Sequence, residues 1–227
     1  MDRAPRTGER DARHSAAVTS ILLPVGWAVV GAAGGWLVRW GSVRLGRLEG
    51  LEGGNAPWQV YGPPIVSALL FAIFATHVAP FQQLALRSVF VLVLVQVIFF
   101  DFEHRLILDR VMFPAMALAL VVSLFGHPWW AGIVTGLGIG VLFLLLALVG
   151  QAIFKAEALG FGDVKLALFM GMLVGWPYIV QAVFYGVLLA GVASVVVIVR
   201  SRSMKGTIAY GPYLAAGTLV VLYLLPE

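Results

Sequence analysis

The chain has 227 residues, 61% hydrophobic and only 11% charged, where an ordinary soluble domain carries about 25% charged residues; this composition excludes a soluble globular core and commits the chain to the membrane. The formal net charge is +4, but the bases are scattered over short loops between apolar runs, which excludes nucleic acid as a partner and fits topology control by basic loops. Without cysteine there is no disulfide, thiolate catalysis or cysteine-based zinc site, and the four histidines show no ligand spacing, so neither metal nor other cofactor is expected.

An N-terminal tail, residues 1–16, carries four arginines against three acids. The apolar run after it lacks a small-residue cleavage site and reads as an uncleaved first span. From residue 17 to 227 the chain reads as one all-α polytopic bundle of about eight hydrophobic segments. They are Ala17–Leu37, Gly62–Ala79, Leu84–Phe100, Val111–Phe125, Ala131–Phe154, Val164–Val174, Ile179–Val199 and Tyr210–Leu225. Their unbroken apolarity argues against the alternation of a membrane barrel. Most approach the roughly 20 residues a spanning helix needs. The sixth is too short to cross a hydrocarbon core of about 30 Å, which predicts that the glycine-rich stretch before it lies below the membrane surface. The longest interruption, Val38–Tyr61, holds Gly50, Gly53, Gly54 and Pro57 and is expected to be a poorly ordered loop.

Ten of the fifteen Lys and Arg fall in or beside the connections after segments one, three, five and seven. The positive-inside rule then puts both termini outside and those connections in the cytoplasm. Trp129, Trp130, Trp176 and Tyr178 gather at the opposite ends, as an interfacial aromatic belt in contact with membrane lipid.

None of the eleven acids lies in mid-span, but two stand where an apolar run meets a cytoplasmic connection. Asp101 follows Val95-Gln96-Val97-Ile98-Phe99-Phe100, and Asp163 precedes Val164-Lys165-Leu166-Ala167-Leu168-Phe169. An ionisable group so near hydrocarbon is costly and points to function, although both could also mark solvated helix ends or, for Asp163, an N-cap. Gly160 and Gly162 are expected to allow a tight backbone bend that brings Asp163 against another helix. Asp109 is expected to cap the helix starting near Val111, and Glu103 to be a solvated loop charge. Lys165 fits either a neighbour of the two aspartates or an interfacial snorkelling lysine.

Gly160-Phe161-Gly162-Asp163-Val164-Lys165 resembles the GxGD-Val-Lys motif of the type IV prepilin peptidase family, which includes the archaeal preflagellin peptidases. Asp101, followed by Leu108-Asp109, is similar to the family's other signature, with Leu108 where proline is usual. Ile208 to Gly217, containing Gly211 and Pro212, looks like the family's last-helix Gly-Pro-aromatic segment. The resemblance runs from about Val97 to the C-terminus. It implies an intramembrane aspartyl endopeptidase with Asp101 and Asp163 as the catalytic pair, supported by Gly160, Gly162, Lys165, Asp109, Gly211 and Pro212. It also implies a prepilin or pseudopilin substrate, of a type IV pilus or type II secretion system, cut at the cytoplasmic face of the inner membrane. Bacterial members typically carry a cysteine-rich zinc insert after the first helix, and many N-methylate their product. Here the corresponding stretch is the short, cysteine-free 38–61, so proteolysis without methylation is expected. A proton- or cation-coupled transporter using the same aspartates, or a non-catalytic pilus assembly factor, are the alternatives.

Overall fold

The computed structural model describes residues 7–78, 80–154, 160–201 and 209–226. Among these residues the chain forms eight helices: α1 (Thr7–Leu48), α2 (Pro57–His77), α3 (Phe81–His104), α4 (Asp109–Leu124), α5 (Ala131–Phe154), α6 (Phe161–Val174), α7 (Tyr178–Ser201) and α8 (Gly211–Leu224). Three of the ten bases in or beside the connections expected in the cytoplasm, Lys155, Arg202 and Lys205, lie outside the described residues, as does Ile208.

Each expected segment has its helix, but only five helices are long and apolar enough to cross a membrane by length and composition: α1, α2, α3, α5 and α7. The short sixth segment is joined by two more. α6 and α8 have 14 residues each, and α4 has 16. At 1.5 Å per residue, 14 residues rise about 21 Å, well under a hydrocarbon core of about 30 Å. The two shortest helices sit inside the molecule. α8 packs on α3, α6 and α7, while α6 is enclosed by α4, α5, α7 and α8. A helix end inside the bilayer needs such an enclosure, because its free backbone groups find no water in lipid. The outer helices α5 and α7 expose Leu142, Leu145, Val149, Val187, Leu188, Val192 and Val195. An apolar surface of this extent suits lipid as solvent. Trp129, Trp130 and Trp176 are exposed between helices, as an aromatic belt requires, whereas Tyr178 packs partly against the core.

Small residues set the helix pairing. Between apolar helices in lipid there is little hydrophobic drive, so close backbone approach supplies the packing. A methyl group on Gly35 of α1 would fall 2.5 Å from the Pro63 carbonyl oxygen of α2. On Gly171 of α6 it would meet Gly136 Cα of α5 at 2.7 Å, and on Gly217 of α8 the Ala182 oxygen of α7 at 2.5 Å. Each of these pairs joins two helices adjacent in the chain.

The stretch 38–61 departs from its expected loop. α1 continues to Leu48 and α2 begins at Pro57, so that only 49–56 connects them. The charges that end the apolar run at Arg39 do not end the helix, because Arg39 is itself buried in contacts with the end of α3. α8 is held at its C-terminal end by Arg87 of α3, which is buried and donates to the carbonyls of Leu222, Leu225 and Pro226. Those are carbonyls that a helix end leaves without intrahelical partners.

Candidate active site

Asp101 occupies the last turn of α3, where its carbonyl accepts the Arg105 N–H at 2.9 Å. Arg105 closes the helix in the left-handed conformation, φ 53°. Asp163 lies in the first turn of α6, three residues after the N-cap Gly160. Neither helix is broken by its aspartate, and Asp163 is not the cap. The Asp163 backbone N–H donates to the Gly160 carbonyl at 3.0 Å, and the carboxylate Oδ2 leans back over Gly160.

The two carboxylates meet at the start of α8. A methyl group on Gly211 would stand 2.5 Å from Asp101 Oδ2, 3.2 Å from Asp101 Cγ and 3.4 Å from Asp163 Oδ1. The two oxygens therefore lie within about 6 Å of each other, the sum of their distances from that point. Three chain segments more than a hundred residues apart at their extremes are thus brought to one spot. Asp101 is buried, Asp163 half-buried, and Gly211 and Pro212 buried. Proline suits the first turn of α8, whose first N–H groups have no helical partner in any case. Tyr213 follows and stands edge-on to Phe102, with ring centroids 5.7 Å apart.

The glycines before Asp163 act differently from the expected bend. Gly160 has φ −69° and ψ 146°, a conformation open to any residue. Positive φ among the described glycines occurs at Gly50 and Gly175 only. Gly162 instead provides clearance, since a methyl group there would touch the Ile107 side chain at 3.2 Å. That contact seats the start of α6 against the connection between α3 and α4.

Asp109 and Lys165 form a second, separate pair. Asp109 begins α4 at its first helical position, while the N-cap is Leu108 with no side-chain cap bond. Its expected capping role is replaced by an ion pair, Lys165 Nζ to Asp109 Oδ1 at 2.6 Å, that ties α6 to α4. The ammonium also lies over the rings of Phe113 and Phe161, at 5.2 and 5.1 Å. Two positions along a helix amount to about 200° of rotation, so Lys165 leaves on the opposite side from Asp163.

Glu103 is likewise not a solvated loop charge. Its side chain is 8% exposed and pairs with Arg39 at 3.4 Å. The Gly54 N–H donates to the same carboxylate, and the Arg39 guanidinium donates to the Gly54 carbonyl. No sequence signal marks this group, because its members lie 15 to 64 residues apart. Among the described residues no set of three or more His, Asp or Glu side chains forms a metal-binding group.

Eight helices among the described residues, five of them long and apolar enough to span a membrane, and two helix-end carboxylates brought together at α8 define a polytopic, all-α membrane protein with an acidic site. Residues 88–195 match the model of the type IV leader peptidase family, a stretch that includes both Asp101 and Asp163 and stops before Gly211. The chain is 31% identical over 125 residues to leader peptidase HopD of Escherichia coli, covering 53% of this chain and 81% of that one. The chain belongs to the type IV leader peptidase family. It is also similar to the prepilin leader peptidase/N-methyltransferases of Stutzerimonas stutzeri and Bacillus subtilis, each at 28% identity. Those matches cover 54% and 69% of this chain, but only 44% and 62% of the relatives' own lengths. No solved structure matches the chain.

Proposed function

We propose that this chain is an intramembrane aspartyl endopeptidase that removes the leader of a type IV prepilin or pseudopilin. The observation that carries the reading is the meeting of Asp101 and Asp163 around Gly211. Two carboxylates brought this close do not both ionise easily, so one of them tends to hold a proton. The ionised member takes a proton from water as that water attacks the scissile carbonyl. The protonated member polarises the carbonyl oxygen and then gives its proton to the leaving amine. Burial by α6 and α8 keeps bulk water from competing with the placed nucleophile.

Substrate and location follow from the family and the charge pattern. The bases flanking the ends of α1, α3 and α7 support a reading with the aspartates at the cytoplasmic face of the inner membrane. A precursor with a basic leader and an apolar helix would lay that helix against the bundle in lipid. The connection 49–56 is short and free of cysteine, which supports proteolysis without the zinc insert and without N-methylation.

Purified protein in lipid, incubated with a prepilin, tests the reading. Wild type is expected to cleave, and Asp101→Ala and Asp163→Ala to lose cleavage by about a thousandfold or more, the scale of removing an essential acid or base. Cleavage that survives either substitution refutes the carboxylate pair. Mass spectrometry of the new N-terminus with S-adenosylmethionine present is expected to show no added methyl group.

A further inference from the structure

The last turn of α3 is gripped on two sides. Asp101 and Phe102 face α8, where they meet Gly211 and Tyr213. Phe100, Glu103 and His104 face the end of α1 and the 49–56 connection. Phe100 packs at Gly46 of α1, and its ring lies tilted against His104, with centroids 4.6 Å apart. His104 Nε2 lies 3.5 Å from Glu103 Oε1. The Gly54 peptide is held at both ends, its N–H by Glu103 and its carbonyl by Arg39. Arg39, Glu103 and His104 have side chains only 9%, 8% and 13% exposed. A methyl group on Gly54 would strike the Gln59 amide, which in turn accepts the Ala56 N–H at 2.9 Å and starts α2.

We infer that Arg39, Glu103 and the Gly54 peptide form a positioning clamp that fixes the rotation and height of the final turn of α3, and with it Asp101. This rests on the peptidase reading. A terminal helical turn frays unless tertiary contacts hold it. Here the turn ends one residue beyond His104 in the left-handed Arg105, so no further helix stiffens it. Glu103 stands two residues after Asp101, about 200° around the helix, so tension on one is rotation of the other. A buried ion pair is weak grounds for stability, because both charges lose their hydration. Its directional bonds to the N–H and the carbonyl of one residue, Gly54, instead specify a geometry. Glu103 and Arg39 are positioning residues; neither touches the reacting atoms.

The test uses the full chain in lipid, with prepilin cleavage and amide hydrogen exchange measured together. Arg39→Met/Glu103→Leu removes both charges at once, so that no unpaired charge is left buried and the fold is kept. Its kcat is expected to fall about tenfold or more, with KM changed by less than about twofold and the thermal midpoint held. Exchange at the amides of residues 101–105 is expected to rise. Arg39→Lys, which keeps the charge but not the fork, is expected to recover part of kcat. Arg110→Ala, which breaks the exposed Arg110–Glu49 pair on the same connection, is expected to leave kcat unchanged. A double variant with wild-type kcat, or with unaltered exchange at 101–105, overturns the clamp while leaving the peptidase reading intact. Cleavage that survives Asp101→Ala overturns the peptidase reading and the clamp with it.

Discussion

Gly211→Ala is the smallest change that reaches the centre of the site. The added methyl group would lie 2.5 Å from Asp101 Oδ2 and 3.2 Å from Asp101 Cγ. Unstrained contacts between carbon and a heavy atom lie at about 3.5 Å or more. The Asp101 carboxylate, or the start of α8, must therefore move by about 1 Å. The carboxylate has little room, since Asp101 is buried and its turn is packed on both faces. A displacement of that size costs about a hundredfold in rate when it falls on a reacting group, equal to about 2.7 kcal/mol of activation free energy. On the proposed reading the loss should appear in kcat, since the added methyl group lies against the two carboxylates and leaves the lipid-facing surface unchanged. The assay is steady-state cleavage of a prepilin, with the thermal midpoint measured in parallel. Gly138→Ala on α5 is the control, because a methyl group there meets nothing within 4 Å. A Gly211→Ala protein with wild-type kcat would mean that the gap between the carboxylates is not the working geometry.

Three further outcomes follow from the packing. Lys165→Met removes a pair whose Asp109 member is 52% exposed, so stability should fall by less than about 1 kcal/mol and kcat by less than about threefold; a loss comparable to that of Asp163→Ala would place Lys165 in the chemistry after all. Arg87→Met strips three hydrogen bonds from the C-terminal carbonyls of α8 and should lower unfolding stability by about 2–4 kcal/mol, read from denaturant or thermal unfolding in detergent. Leu108→Pro should fold and cleave, because φ at this position is −67°, the value a proline ring imposes; failure to fold would show that the buried leucine side chain, not the backbone, decides the position.

Hydropathy located the helices well because continuous apolar runs are a strong, local signal. α5 covers the same residues as its expected segment, Ala131–Phe154. Helix ends are less legible wherever a distant partner draws a charge into the fold. Arg39 looked like the end of a span, yet α1 runs on to Leu48 because Glu103, 64 residues away, receives it. Glu103 has the sequence position of a solvated loop charge, but its side chain is largely buried for the same reason. Asp109 had the position of a cap, but Lys165, 56 residues on, is what its carboxylate meets. The aspartates and Gly211 stood out by motif. What the motif did not convey is why glycine stands at 211, which depends on two carboxylates arriving from other helices. Gly160 and Gly162 suggested conformational freedom, while the structure uses Gly162 for clearance at Ile107.

The placement of α8 has a consequence for the order of assembly. The glycine-packed pairs α1–α2, α5–α6 and α7–α8 join neighbours in the chain, so each can form soon after its two helices enter the bilayer. The surfaces that α8 shares with α3 and α6 belong to helices made much earlier, and α8 is the last of the described helices to leave the ribosome. Until it docks, Asp101 and Asp163 lack the wall that Gly211 supplies between them. A nascent chain thus carries both acids before their third helix is packed against them, and the moment of completion is set by the arrival of a single 14-residue helix.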